Sequence, residues 1–157
     1  RRGETFVTKK IAKSVVKISK GLQKCLYLGN LNASRDWGHA RDYVKGMWMI
    51  LQQDRPDDFV FATGKTYTVR RFVEEAFAQL NIKITWKGKN IKECGVDQKT
   101  GKVLVRIDPK YFRPTEVDFL KGDASKARKI LGWRPKTSFS DLVKEMINYE
   151  LKSLKKL

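Results

Sequence analysis

The chain has 157 residues, with 34 lysines and arginines against 17 aspartates and glutamates, so its formal net charge is +17. A hydrophobic content of 41% and an aromatic content of 11% exclude a disordered chain and predict one domain or a large piece of one. Every apolar run is shorter than the roughly 20 residues of a membrane-spanning helix, so we expect no membrane segment.

The first half of the chain alternates helical and strand patterns. Residues 5–22 place apolar residues about every 3.6 positions with lysines between them, which is typical of a helix with one buried face, and an apolar helix is expected over 38–53. Thr68 precedes a third such segment, at the position where a hydroxyl caps a helix. The predicted elements are, in chain order, a helix over 5–22, a strand over 25–28, a helix over 38–53, a strand over 58–62 and a helix from 68 to about 80.

Two strands are predicted in the middle of the chain. Residues 82–86 and 103–107 alternate apolar and polar positions, as strands with one buried face do. The Gly- and Lys-rich stretch between them predicts a hairpin or a longer excursion. Residues 111–121, which contain Pro114, are expected to form an irregular loop.

Two helices are predicted after this loop. Asp123 is placed to cap a short helix that ends before Gly132. Ser138 and Asp141 stand three residues apart, like the two members of a capping box, ahead of a last helix that reaches Leu151. No internal repeat is evident, so the elements predict one α/β unit.

The positive charge is spread along the chain. Lysines recur between the apolar residues of 9–24 and again over 152–156, where helices would expose them. This charge density suits a polyanion, and a solvated lysine-rich surface explains it equally well. Because the sequence has no helix-turn-helix, zinc-finger or RNA-binding aromatic signature, we do not expect specific nucleic-acid binding.

The cysteines and the first residues favour a cytoplasmic protein. Cys25 and Cys94 lie far apart without metal-ligand spacing, so we expect two reduced thiols and no metal site. Residues 1–4 contain neither a starting Met nor the apolar stretch of a signal peptide. We therefore expect the sequence to be part of a longer protein that is not exported.

Three polar clusters stand at the ends of predicted elements, where loops present side chains to ligands. Residues 1–3 carry two arginines ahead of the first helix, an arrangement that could hold a phosphate or could simply be exposed. Residues 35–43 gather two Arg, two Asp, the single His and two aromatic residues ahead of an apolar helix. Residues 111–118 set Arg113 near Glu116, which suits a nucleotide or an intramolecular ion pair.

The cluster over 35–43 does not predict a hydrolytic site. Arg35 offers the two parallel N–H bonds that a phosphate accepts. Asp42 is placed either to orient His39 or to cap the helix, and a packing role for His39 is favoured over a catalytic one. Since no second His exists and no Ser or Cys stands in a nucleophile motif, a catalytic triad has no support.

In order and spacing, these residues resemble the GDP-mannose 4,6-dehydratases, members of the extended short-chain dehydrogenase/reductase superfamily. The Arg-Asp-Trp-Gly-His-Ala sequence from Arg35 and the Arg-Pro-Thr-Glu-Val-Asp sequence from Arg113 point to this family in particular. The segments that carry the likeness are 1–8, 28–31, 35–44, 47–53, 61–64, 111–118 and 123–135, and the last of these is shared by many members of the superfamily.

The resemblance implies an α/β fold in which residues 1–157 form the C-terminal, GDP-sugar-binding lobe that caps an NAD(P)-binding Rossmann domain. In the implied reaction NADP takes hydride from C4 of GDP-mannose, water leaves across C5 and C6, and hydride returns to C6. The product is GDP-4-keto-6-deoxymannose, on the way to GDP-fucose or other deoxyhexoses. The complete enzyme is expected to be a dimer or tetramer of identical subunits.

The resemblance also implies roles for individual residues. An arginine fork suits a diphosphate and a carboxylate suits ribose hydroxyls, so the local chemistry agrees with these roles. Lys9 replaces an Arg often found there and keeps the charge. The implied contacts are Arg2 to NADP, Val7 and Lys10 to the guanosine, Arg35 and Arg113 to the diphosphate, and Glu116 to the ribose.

The chain lacks the family's catalytic parts. The Gly-rich dinucleotide turn, the active-site Thr and Glu, and the Tyr-x-x-x-Lys pair would all precede residue 1, and no Gly-x-Gly-x-x-Gly occurs. We therefore expect no catalytic residue in this chain, no turnover by it alone, and apolar surface that the missing portion would cover. The alternative is a basic module that binds nucleotide sugar or nucleic acid without catalysis.

Overall fold

The computed structural model describes residue 3, residues 5–111 and residues 117–154. This part of the chain is an α/β unit of helices and short strands. The helices are α1 (Val7–Ser19), α2 (Ala40–Ile50), α3 (Val69–Ala78), α4 (Ser125–Leu131) and α5 (Phe139–Leu154). The strands are β1 (Leu26–Leu28), β2 (Ser34–Arg35), β3 (Tyr67–Thr68), β4 (Ile84–Lys87), β5 (Cys94–Asp97) and β6 (Val103–Ile107). Short 3₁₀ helices lie at Asn90–Lys92 and Pro109–Tyr111.

A mixed sheet of strand order β1-β6-β5-β4 forms the centre of the described part. β5 pairs antiparallel with β4 on one side and with β6 on the other. The strands predicted over 82–86 and 103–107 are therefore present, and the stretch between them supplies a third strand, β5, that separates them. β1 joins the other side of β6 in parallel, with Leu26 opposite Val105. A separate small ladder pairs β2 with β3 and places Arg35 opposite Tyr67.

The larger core contains α1, α3 and α5, which contact one another, together with residues of the central sheet. Each helix supplies apolar residues at three- and four-residue spacing, which puts them on one face. Phe72 and Phe77 of α3 and Ile11 of α1 are among its fully buried side chains. The helical periodicity in the sequence therefore identified this core correctly.

A smaller core lies between α2, α4, the segment 59–62 that follows α2 and residue 133 after α4. Trp133 fills its centre and its ring contacts that of Phe61, with 4.9 Å between the centroids. Helix α2 approaches Phe61 through Gly46, where an added Cβ would lie 2.6 Å from the Phe61 ring. Any larger residue at position 46 would therefore force either the Phe61 ring or α2 to shift.

The residues predicted to cap α3, α4 and α5 accept backbone hydrogen bonds at the starts of these helices. Thr68 Oγ1 accepts a hydrogen bond from Arg71 N at 3.1 Å, which caps α3. Ser138 Oγ accepts from Asp141 N at 3.1 Å at the start of α5. Asp123 accepts from Ser125 N at 2.9 Å ahead of α4, and Gly132 ends that helix in the left-handed conformation.

The strand predicted over residues 58–62 is wrong. This segment has no ladder partner among the described residues, although it is apolar enough to be a strand. Phe59 and Phe61 instead pack against the smaller core, and Val60 between them is exposed. The short strands β2 and β3 were not predicted, since two residues are too few to show a periodicity.

Candidate functional site

The structure describes three of the six predicted site residues. Val7 and Lys10 lie on the first turns of α1, and Arg35 lies in β2. Val7 is half-buried and packs against the larger core, so part of its side chain serves the fold. The other three, Arg2, Arg113 and Glu116, lie outside the described residues.

The N-terminus of α1 has the electrostatics of an anion site. Phe6 occupies the N-cap position, and its side chain cannot accept hydrogen bonds from the first-turn N–H groups. No acidic residue lies in that first turn, and the helix dipole adds partial positive charge there. Lys9 pairs with the buried Glu150 of α5, so its charge serves the packing of α1 against α5.

Lys10 lies beside the 3₁₀ turn that follows β6. Its Nζ atom lies over the Tyr111 ring, 3.4 Å from the ring centroid, which is a close cation–π contact. The turn itself is fixed because Asp108 N donates to Leu28 O at 2.8 Å and Tyr111 N donates to Asp108 O at 3.0 Å. The end of β1 and the end of β6 thus hold the aromatic ring beneath the lysine.

Arg35 contacts the chain on the other side of residues 112–116. Its Nη1 donates to Val117 O at 2.6 Å and to Ser34 O at 2.9 Å. Residues 118–120 are tied to β2 by two backbone bonds, from Ser34 N to Asp118 O and from Leu120 N to Ser34 O. Lys10 and Arg35 therefore contact the residues that flank the segment carrying Arg113 and Glu116.

Asp36 organises the loop next to Arg35. Its carboxylate accepts from Thr63 N at 3.0 Å, Thr63 Oγ1 at 2.5 Å and Gly64 N at 2.9 Å. Gly122 N donates to the same carboxylate at 3.4 Å. This side chain therefore joins three separated parts of the chain around the candidate site, and its role is structural.

Trp37 anchors the same loop to the larger core. Its ring meets Phe72 edge-on with 5.1 Å between the centroids and stacks on Phe139 with 6.0 Å between them. Tyr67 lies opposite Arg35 in the β2–β3 ladder, and its ring also stacks on Phe139, with 3.9 Å between the centroids. Trp37 thus fixes the backbone next to Arg35.

Neither role predicted for Asp42 is correct. His39 caps α2 itself, because its Nδ1 accepts from Arg41 N at 3.1 Å, and its Nε2 lies 3.2 Å from a Glu145 carboxylate oxygen. The buried Asp42 carboxylate instead accepts from Lys136 N at 3.1 Å and Thr137 N at 2.9 Å. It ties α2 to the segment between α4 and α5, and His39 has the structural role that was favoured for it.

The contacts that the sequence did not predict are the ones made to Tyr111 and to backbone carbonyls. Tyr111 belongs to a predicted polar cluster, but its aromatic ring gave no sign of a lysine partner. The carbonyl acceptor of Val117 has no side-chain signature at all. Asn30, whose Nδ2 donates to the Asp118 carboxylate at 3.1 Å, was not among the predicted site residues.

The described residues show few other reactive groups. Cys25 and Cys94 are free thiols, and burial raises the pKa of Cys25 against the opposing effect of the Arg106 charge. Within the described part, no three His, Cys, Asp or Glu side chains are grouped so that they could hold a metal ion. The helices there are all too short or too polar to cross a membrane.

Solved structures share this fold. A protein named RMD from Pseudomonas aeruginosa, solved with NADPH, matches with a TM-score of 0.77 and 15% identity over 97% of this chain and 44% of its own. A dTDP-glucose 4,6-dehydratase from Bacillus anthracis, solved with NAD, matches with a TM-score of 0.67 and 18% identity over 92% of this chain and 40% of its own. The predicted α/β fold is confirmed, because these nucleotide-cofactor complexes share it.

Sequence relatives are far closer. The GDP-mannose 4,6-dehydratase of Sinorhizobium fredii is 59% identical over 154 residues, which are 98% of this chain and 44% of the relative. The human GDP-mannose 4,6 dehydratase is 52% identical over 155 residues, which are 99% of this chain and 42% of the relative. The chain thus spans less than half the length of these relatives. A family model described as GDP-mannose 4,6 dehydratase matches residues 1–146, and we conclude that the chain belongs to the GDP-mannose 4,6-dehydratase family.

Proposed function

We propose that this chain is the C-terminal, GDP-sugar-binding part of a GDP-mannose 4,6-dehydratase. The observation that carries the proposal is the placement of two cations expected to bind the nucleotide. Lys10 contacts Tyr111 and Arg35 contacts Val117, so both lie beside the segment that carries Arg113 and Glu116.

The described contacts leave these cations suited to an anionic ligand. Lys10 has no carboxylate partner among the described residues, and the ring beneath it takes only one side of an ammonium that has three donors. Arg35 carries a planar guanidinium, the side chain whose geometry suits bidentate contact with a phosphate, and its bond to Val117 O places it next to residue 117. The positively polarised end of α1, where Phe6 is the N-cap residue, lies about one helical turn from Lys10.

The proposed reaction of the complete enzyme is the NADP-dependent conversion of GDP-mannose to GDP-4-keto-6-deoxymannose and water. The described residues do not fit a dinucleotide cofactor, because no Gly-rich turn connects a parallel strand to a helix in this chain. We therefore assign NADP, apart from the predicted contact of Arg2, to a portion of the protein that relatives have and this sequence lacks. This chain alone is proposed to bind the nucleotide sugar without converting it. The complete enzyme is proposed to be a cytoplasmic homo-oligomer.

Calorimetric titration of the chain with GDP and with GDP-mannose tests the binding proposal. We expect saturable binding that is weakened about 10- to 100-fold in Arg35→Ala and in Arg113→Ala, because each loses charge-assisted hydrogen bonds to the diphosphate. Arg134→Ala is the matched control, since Arg134 is exposed and outside the candidate site, and it should change the affinity by less than about twofold.

Two results would contradict the proposal. Equal affinity in the wild-type and Arg35→Ala chains would remove Arg35 from the diphosphate site. Absence of GDP binding by a chain that still melts cooperatively would show that these residues do not form a nucleotide site on their own.

The surface of α2 supports the proposal that a further part of the protein packs on this chain. Trp48 is 59% exposed and Leu51 is 79% exposed, and Val44 and Met47 beside them are also exposed. Val60, in the apolar segment that lacks a ladder partner, adds to the same kind of surface. Since folded proteins rarely expose several large apolar side chains on one helix, we propose that the portion preceding this one in the relatives covers them.

A dye that fluoresces on apolar surfaces, anilinonaphthalene sulfonate, tests whether α2 is open in the chain alone. The double variant Met47→Lys with Trp48→Lys should lose more than about half of the wild-type dye fluorescence and keep the melting temperature, because these side chains contribute little to either core. Leu22→Lys is the control, because Leu22 is 63% exposed on another part of the surface. Unchanged fluorescence in the double variant would mean that α2 is already covered.

A further inference from the structure

Lysine is an imprecise ligand-binding residue unless something fixes its side chain. Four rotatable carbon bonds separate the ammonium of Lys10 from the backbone of α1, and binding must immobilise all of them. In the described structure the Tyr111 ring lies directly under this ammonium, 3.4 Å from its centroid. A second ammonium, that of Lys110, lies farther from the same ring at 5.1 Å, is largely exposed and lies 3.9 Å from an Asp108 oxygen.

We propose that Tyr111 is a positioning residue for nucleotide recognition, and that it acts by holding the Lys10 ammonium in place before the ligand arrives. The inference rests on the proposed function, since it concerns the same site. Tyr111 is not required to touch the nucleotide. Its effect on affinity passes through Lys10, because an ammonium that is already fixed loses less conformational freedom on binding.

Backbone hydrogen bonds attach Tyr111 to the central sheet, as this role requires. The ring belongs to a 3₁₀ turn, Pro109–Tyr111, whose N–H bonds attach it to the end of β6 and, through Asp108, to β1. Lys10 belongs to a helix whose next turns are buried in the larger core. Both partners are therefore carried by rigid elements, and their separation depends on the fold and not on a mobile loop.

A double-mutant cycle separates this role from direct contact. GDP affinity is measured by calorimetry for the wild-type chain, Tyr111→Phe, Tyr111→Leu, Lys10→Met and the double variant with Lys10→Met and Tyr111→Leu. We expect Tyr111→Leu to bind about fivefold more weakly and Tyr111→Phe to stay within about twofold, since phenylalanine keeps the ring face that attracts a cation. In the Lys10→Met background, Tyr111→Leu should cause no further loss.

A second measurement follows the contact itself. The ε-methylene proton resonances of Lys10, assigned by NMR in the free chain, should be shifted upfield by the ring in the wild type and in Tyr111→Phe. The shift should disappear in Tyr111→Leu, whose thermal melt checks that the chain is still folded.

The possible outcomes decide between the inference and its rivals. A fivefold loss that persists in the Lys10→Met background would overturn the inference, because Tyr111 would then act on the nucleotide without Lys10. Wild-type affinity in Tyr111→Leu would overturn it as well, and so would unshifted Lys10 resonances in the wild type. If the wild-type chain binds no GDP while the Lys10 resonances are shifted, the proposed function fails and the contact is only structural. If Arg35→Ala loses GDP affinity and Tyr111→Leu does not, the proposed function is kept and the positioning role of Tyr111 is rejected.

Discussion

Replacement of Phe72 by alanine is expected to lower the free energy of unfolding by about 3–5 kcal/mol, the largest effect of any substitution considered for this chain. Phe72 is fully buried on α3 and lies at the meeting point of α3 with two other aromatic rings. Trp37 contacts it edge-on at 5.1 Å between centroids, and Phe139 of α5 does so at 5.7 Å. Alanine would leave a cavity that these two rings cannot fill without moving the loop that carries Arg35.

Urea denaturation of the purified chain measures this loss. Phe72→Leu should cost only about 1–2 kcal/mol, since it keeps most of the apolar volume and loses the aromatic contacts. Phe119→Ala removes the same ring at a position that is 60% exposed, and it should change stability by less than about 0.5 kcal/mol. Equal effects of Phe72→Ala and Phe119→Ala would mean that the aromatic cluster around Trp37 does not form.

Replacement of Asp42 by alanine is expected to destabilise the chain by about 2–4 kcal/mol. The buried carboxylate accepts the backbone N–H groups of Lys136 and Thr137, and alanine would leave both of these donors without that acceptor. Trp133 Nε1, which donates to the Asp42 carbonyl at 2.8 Å, keeps its partner in the variant. The loss should therefore concentrate in the turn between α4 and α5 and not in the smaller core.

Hydrogen exchange resolved by residue, together with urea denaturation, tests this location. Asp42→Asn should recover part of the loss, because an amide oxygen can still accept one of the two bonds. Asp58→Ala is the matched control, since Asp58 is exposed and no hydrogen bond to its carboxylate was found among the described residues. Faster exchange spread evenly over α2, α4 and α5 would contradict a role confined to the turn.

The sequence of the polar cluster over residues 35–43 could not show which of its side chains bind a ligand and which stabilise the fold. Its composition suggested ligand binding, yet Asp36, Trp37 and Asp42 hold backbone segments together, and of this group Arg35 remains the candidate ligand residue. A carboxylate that accepts backbone N–H groups and one that binds ribose have the same sequence signature. The difference lies in which distant segment comes to face the side chain.

The secondary structure around the cores could be predicted because its causes are local. The apolar faces of α1 and α3 follow from residue spacing within one helix, and the Thr68 and Ser138 caps follow from neighbours three residues away. The strand expected over 58–62 failed for the opposite reason. Hydrophobic content predicts burial, but strand formation requires a partner strand, and none lies beside this segment in the described structure.

The sequence by itself determined the helices, the caps at Thr68 and Ser138, the strands β4 and β6 and, through the order of its motifs, the family. The tertiary structure alone decided that Lys10 lies over Tyr111 and that Arg35 donates to Val117. It also decided that Lys9 forms an ion pair with Glu150. The partners in these pairs are far apart in the chain, and their contacts depend on the parallel pairing of β1 with β6 and on the packing of α1 against α5. Periodicity and capping act over a few residues, whereas a binding site is made where distant segments meet, so its geometry is fixed only when the chain is folded.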